Sequence, residues 1–279
     1  MAIPAEGYPR TAAISPRVQV VDMTDSTNAD VIRHATDDPT AWPHLSLLLT
    51  TDQRAGRGRL DRSWTTPPGT ALAVSVLVRV PGIPPAARGW IPLVAGTAMS
   101  RAIAEQLRGN AQIPELKWPN DVLLSGGKVC GILAEVLPGD SDAIVIGTGV
   151  NTRMPRADLP VPTATSFQVL GLEVDDDRLV ADYLSNLRDL LAALEAASGD
   201  AEASGIHAIV SAACGTLGRS VVVSLPDGSQ LEGTADRLDA AGRLVVARLD
   251  DRGLGVDGLG VDGPGGEHAV SAGDVIHIR

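Results

Sequence analysis

Between Thr70 and Val80 the chain alternates strictly, with Leu72, Val74, Val76, Val78 and Val80 on one side of an extended segment. Side chains in a strand point to opposite faces in turn, so this stretch must sit in a sheet with its apolar face against a core. The segment after it has the other period. Over 88–107, Ile91, Val94, Ala95, Ala98, Ala102 and Leu107 recur at helical spacing, which predicts a helix. Hydrophobic residues make up 44% of the 279 and aromatics only 3%, so the core must be built from Val, Leu, Ile and Ala.

The other elements follow from pattern and punctuation. Residues 1–16 read as a flexible N-terminal arm. Arg17 to Val21 reads as a short strand, and Asp25-Ser26 offers N-cap chemistry for a helix over 27–36. Leu45 to Thr51 is a buried strand, and 53–69 is a loop rich in Gly and Arg. Glu115 to Trp118 begins another strand. Asp121 to Leu124 and Lys128 to Val136 form a hairpin through Ser125-Gly126-Gly127. Ala143 to Val150 is a strand ending at Asn151, and helices are expected over 179–197 and 201–214. From Leu217 the pattern becomes all-β: strands over 220–225, 230–238, 243–249 and 269–278, separated by Asp227-Gly228, Ala241-Gly242 and Gly265-Gly266. Leu254-Gly255-Val256-Asp257-Gly258 repeats as Leu259 to Gly263, most simply a loop insertion. The fold class is α+β, with an arm (1–16), a main domain (17–215) and a small β-domain (216–279).

Charge and cysteines narrow the function. A net charge of −11 argues against a nucleic-acid binder, because neutralising phosphates supplies most of such affinity. Cys130 and Cys214, far apart, give neither a disulfide framework nor a metal cluster and suggest a reducing cytoplasm. No apolar run reaches the roughly 18 residues a membrane span needs. The five histidines show no metal spacing, so no protein metal site is expected.

Four segments carry chemistry. Gln53 to Trp64 holds arginines 54, 57, 59 and 62 among glycines. Glycine lets backbone approach a ligand, and guanidinium forks match phosphate or carboxylate oxygens; the plain alternative is a solvated basic loop. Lys117-Trp118-Pro119-Asn120-Asp121, followed by Lys128, places an amide and a carboxylate near lysines, as a magnesium–phosphate arrangement requires; alone it could be a capped turn. Gly147-Thr148-Gly149-Val150-Asn151 leaves room beside a strand end, and Asp25-Ser26-Thr27-Asn28 sits at a helix N-terminus, which binds polar groups as well as capping.

Together and in this order the motifs resemble those of biotin–protein ligases, clearly over Asp25–Asn151 and in outline for the β-domain. Gly-Arg-Gly-Arg before Trp, Lys-Trp-Pro-Asn-Asp, and Lys-Val-Cys-Gly-Ile-Leu-Ala-Glu are each weak alone and specific as a set. The resemblance implies a class II synthetase-like, lipoate-ligase-like catalytic domain, a mixed sheet flanked by helices, with an SH3-like C-terminal barrel. It implies that biotin's carboxylate attacks the α-phosphate of ATP, with Mg2+, and that the acceptor lysine then attacks the acyl carbon. The implied acceptor is the biotin carboxyl carrier part of an acyl-CoA carboxylase. Ser26, Thr27, Asn28 and Gln53 resemble the residues that hold biotin's ring, and Arg57, Gly58 and Arg59 the loop that closes over biotin and phosphate. Lys128 resembles the lysine at the carboxylate and phosphate, Asn120 a nucleotide and magnesium contact, and Trp64 and Asn151 adenine contacts. Asp121 resembles the acid that orients the acceptor lysine. Leu60 and Asp61 depart from the basic or small residue and glycine usual there, which weakens the expectation of phosphate contacts from that half of the loop. No segment before residue 24 can hold a helix-turn-helix, so a monofunctional ligase is expected. A homodimer is left open. Lipoate ligation is the alternative, although a dithiolane would want a less polar pocket.

Overall fold

The computed structural model describes residues 7–60, 62–225, 228–248, 266–271 and 274–277; the 254–263 repeat and Asp61 lie outside them. In chain order the elements are α1 (Pro9–Ala12), β1 (Val18–Val20), α2 (Thr27–Asp37), β2 (Leu47–Thr50), β3 (Gly56–Arg57), β4 (Ser63–Trp64), β5 (Ala71–Arg79), α3 (Trp90–Gln106), β6 (Glu115–Lys117), β7 (Asp121–Leu124), β8 (Gly127–Leu137) and β9 (Asp140–Asn151). There follow α4 (Asp176–Ala196), α5 (Ile206–Ala213), β10 (Ser220–Ser224), β11 (Gln230–Leu238), β12 (Leu244–Arg248), β13 (Glu267–Val270) and β14 (Asp274–His277).

Seven strands form a mixed sheet in the order β1-β2-β5-β9-β8-β7-β6, with β1 and β2 parallel and the other pairs antiparallel. The alternating strand is β5, and its two faces do different work. Leu72, Val74, Val76 and Val78 join α3, α4 and α5 in the main core. Leu77, on the other face, packs with Val31, Ala35, Trp42 and Val145 in a second core that includes α2. The sheet is therefore buried on both sides, which the alternation alone does not disclose, since Ala71, Ala73 and Ser75 read as an outer face.

Several boundaries differ from the sequence reading. Residues 8–15 are no loose arm. Tyr8 and Thr11 are buried, and Thr11 donates from N and Oγ1 to Asp177 Oδ1 at 2.9 and 2.8 Å, which ties α1 to α4. The helix expected from 201 starts at Ile206, because Gly205 takes φ +75° and breaks it. The strand expected over 269–278 is two, β13 and β14, at opposite edges of a five-stranded antiparallel sheet β13-β12-β11-β10-β14. The 125–127 hairpin holds, with Ser125 at φ +51° and Gly126 at +78°, as a tight two-residue turn requires.

The turn after β11 bonds to α3, α5 and the end of β6. Trp90 Nε1 donates to Ala240 O at 2.9 Å, Trp118 Nε1 to Gly242 O at 3.1 Å, and His207 Nε2 pairs with Leu238 O at 3.0 Å. At the same junction, half-buried His277 contacts Thr216 Oγ1 at 3.2 Å. Burial first, then Lys117 and Arg219, lowers its pKa to about 4.

An unfolded histidine titrates near 6.5. Below that pH the unfolded chain binds a proton that native His277 refuses, so its contribution is present above about pH 6.5 and is lost as pH falls towards 4. We expect the melting temperature to drop between pH 7 and pH 5, and to drop less in His277→Gln. Equal drops in both proteins, measured by calorimetry, would remove His277 as a cause.

Candidate active site

The site begins as a clearing in the sheet. Ala73 pairs with Gly149 and Gly149 with Gly131; one row along, Ser75 pairs with Gly147 and Gly147 with Leu133. Five of these six residues are small and share one face of β5, β9 and β8. A cleft of about 140 Å³, open at its mouth, stands over them. The clearing also seats two neighbours directly. A methyl group at Gly149 would overlap the Trp64 indole, and one at Gly147 would overlap the Asn28 amide.

One end of the cleft is polar and neutral. Ser26 caps α2, accepting from Ala29 N at 3.4 Å. Thr27 donates from N and Oγ1 to Gln53 Oε1 at 2.9 and 3.0 Å. Ser75 Oγ lies 2.7 Å from Thr27 Oγ1 and 2.5 Å from Asn28 Oδ1. Ser26, Thr27, Asn28 and Gln53, all expected from the sequence, line this end; Ser75 is fully buried beneath them and outside the lining.

The other end is charged. Lys128 Nζ sits 2.6 Å from Asp121 Oδ1 and 5.6 Å from the Trp64 ring centre. Its direction depends on a β-bulge. The register of β7 against β8 shifts between Leu123↔Lys128 and Val122↔Cys130, leaving Val129 as an extra residue. In a regular strand Lys128 and Gly131 would face opposite sides; the bulge brings the lysine onto the face of Gly131, whose added methyl would meet Lys128 Cε at 3.2 Å. Asn120 Nδ2 donates to Ile132 O at 2.7 Å, which fixes its amide, and Asn120 Oδ1 accepts from Arg59 Nη1 at 3.0 Å.

The roof is the arginine segment, which forms a small hairpin, β3 with β4, where a plain loop was expected. Gly58 N donates to Arg62 O at 2.6 Å and closes it. Arg57, Gly58, Arg59 and Arg62 line the cleft; Arg54 does not, and pairs with Asp52 instead. Leu60 lines the rim, largely exposed, at φ +55°, a backbone region disfavoured for a branched apolar residue. Asn151 also lies outside the lining. It is buried, and its Nδ2 holds Thr165 O at 2.9 Å, so it anchors the segment after β9. The Cys130 thiol is buried and pushed up by that burial, which suits an inert core residue. Among the described residues no group of three or more His, Cys, Asp or Glu could hold a metal, and no helix is long and apolar enough to cross a membrane.

Residues 20–151 match the Biotin/lipoate A/B protein ligase family model, a span that contains every cleft residue named above. The chain is 35% identical over 264 residues to the biotin–[acetyl-CoA-carboxylase] ligase of Mycobacterium tuberculosis, covering 94% of this chain and 90% of that one. The chain belongs to the biotin protein ligase family. Its fold matches the Aquifex aeolicus biotin protein ligase solved with biotin and ATP, with a TM-score of 0.71 at 21% identity over 94% of this chain and 99% of that one. The Leishmania major biotin protein ligase in complex with biotin aligns with a TM-score of 0.57 at 25% identity, over 83% and 94%.

Because Trp64 lies against Gly149, Gly149→Ala should lift the indole off the sheet of this ligase. The expected readout is a red shift in tryptophan emission, since Trp42, Trp90 and Trp118 are nearly fully buried. An unchanged spectrum in a folded variant would show that the floor tolerates the methyl.

Proposed function

We propose that this chain activates biotin with ATP to biotinyl-5′-adenylate and transfers biotin to a lysine on the biotin carboxyl carrier part of an acetyl-CoA carboxylase, with 17–215 as the catalytic domain and 216–279 as the C-terminal domain. One observation carries the assignment of residues: a single cleft with neutral hydrogen-bonding groups at one end and cationic groups at the other. Biotin has the same polarity, a ureido ring at one end and a carboxylate at the other. The Ser26, Thr27, Asn28 and Gln53 set suits that ring; a dithiolane ring, the lipoate alternative, has nothing to offer these groups.

In the first step a carboxylate oxygen of biotin attacks the α-phosphorus. A P–O bond forms, the α–β bridging P–O bond breaks, and pyrophosphate leaves. The reactants are both anions, so the barrier is largely electrostatic. Lys128 and Arg59 place fixed positive charge where the two meet, with Arg57 adding its charge from the roof, and such preorganised donors cost little reorganisation during reaction. Trp64, lying across β8 and β9 beside Lys128, offers a face for adenine. Asn120 and Asp121 supply one amide oxygen and one carboxylate at the cleft, the kind of sparse oxygen set with which Mg2+ is held when phosphates complete its shell; there it would offset triphosphate charge. In the second step the acceptor amine attacks the acyl carbon, the C–O bond to AMP breaks, and nitrogen loses a proton. Asp121, now paired with Lys128, is the carboxylate placed to orient that amine. The hairpin roof keeps water from the mixed anhydride.

Removing one such donor typically costs about 10²–10³ in rate. Lys128→Ala should therefore reduce biotin-dependent ATP–pyrophosphate exchange by about that factor while the protein stays folded; wild-type exchange would sink the role. Arg59→Gly breaks the bond that docks the roof on Asn120. It should release preformed adenylate about tenfold faster, the scale of one charge-assisted hydrogen bond, as chased radiolabel would show; release at or below the wild-type rate would refute it.

A further inference from the structure

Glu135 stands behind the cleft and not in its lining. It follows Leu133 on the same face of β8, opposite Val145 of β9. Its carboxylate makes two kinds of contact. Oε2 accepts from Asn28 Nδ2 at 2.7 Å and from Arg57 Nη2 at 3.1 Å, and Oε1 lies 2.9 Å from the same Arg57 nitrogen. Both partners line the cleft, one at its polar end and one in its roof. We propose that Glu135 is a positioning residue that couples these two ends, fixing the Asn28 amide and docking Arg57 over the bound ligand. The proposal rests on the ligase reading above.

The chemistry of the donors supports it. A carboxylate only accepts, so Asn28 must turn its NH2 to Glu135 and its oxygen to Ser75 Oγ. Leu133 O, at 3.3 Å, takes part of the same NH2. One charged oxygen thus decides which way an amide in the polar end faces. Arg57 is about half exposed, at 52%. An ion pair there contributes little to stability, but it limits where the guanidinium sits. With Arg57 held on Glu135 and Arg59 on Asn120, the roof has one anchor at each end of the cleft. A ligand anion arriving beneath the roof shares Arg57 with Glu135 and meets a guanidinium already in place.

Glu135→Gln and Glu135→Ala separate the two contacts. A glutamine oxygen still accepts from Asn28 but has no charge to hold Arg57; alanine offers neither. Both variants should expose the roof in the ligand-free protein, seen as faster tryptic cleavage within 54–62. Both should release preformed adenylate about tenfold faster, the scale of one charge-assisted contact. The KM for biotin in pyrophosphate exchange should rise more in Glu135→Ala than in Glu135→Gln, while kcat changes less than KM. In an Arg57→Ala background, Glu135→Gln should add nothing to the release rate. A purely structural role would lower the melting temperature without the KM ordering or the dependence on Arg57. Wild-type cleavage and release rates in Glu135→Gln, or a full effect in the Arg57→Ala background, would overturn the proposal. Absence of biotin-dependent exchange in the wild type would overturn the ligase reading instead, and the cleavage comparison would still decide whether Glu135 docks the roof.

Discussion

A ligand can lie on a β-sheet only where the sheet has been cleared of side chains. Here the clearing is two cross-strand rows, Ala73–Gly149–Gly131 and Ser75–Gly147–Leu133, on adjacent strands in the middle of a sheet buried on both faces. Everything else at the site is placed relative to it. Trp64 descends from the hairpin onto Gly149 and Gly131, Asn28 reaches down from α2 onto Gly147, and Lys128 lies alongside because the bulge turns it to that face. The glycines have ordinary backbone angles, so what they contribute is space rather than conformational freedom.

The second constraint is charge. The chain carries −11 overall, yet several arginines and a lysine converge on one cleft. Each named cation there has a partner of its own: Lys128 with Asp121, Arg59 with the Asn120 oxygen, Arg57 with Glu135. Anchored cations lose less conformational entropy when an anion arrives than long side chains waving in water. The partners differ in what they yield. Asp121 and Glu135 are charged and offset part of the charge on Lys128 and Arg57, whereas the Asn120 oxygen bonded to Arg59 is neutral.

Much of this was legible in the sequence. The alternation of β5, the cap at Ser26, the hairpin through Ser125-Gly126 and the motif order all survive in space. What was not legible depends on pairing across strands. The Val129 bulge, Ser75 buried beneath the polar end, and Glu135 behind the cleft follow from which residue sits opposite which, and a one-dimensional pattern does not carry register. The β3–β4 hairpin hid inside a glycine–arginine run with no alternation to announce it. Thr11 looks like part of an arm in the sequence because its partner, Asp177, lies 166 residues away along the chain. Asn151 was read toward the ligand, but its side chain secures Thr165, a role no local pattern distinguishes from ligand contact.

The segment Lys117 to Asp121 shows how one motif can serve two masters. Trp118 donates from its ring to Gly242 O and from its backbone to Thr216 Oγ1, both in or near the second sheet. Two residues on, Asn120 holds Arg59, and the next residue, Asp121, holds Lys128. The first half of the motif is therefore bolted to the C-terminal sheet and the second half faces the cleft. The C-terminal sheet thus braces the turn from which Asn120 and Asp121 project, and among the described residues it lends no side chain to the cleft.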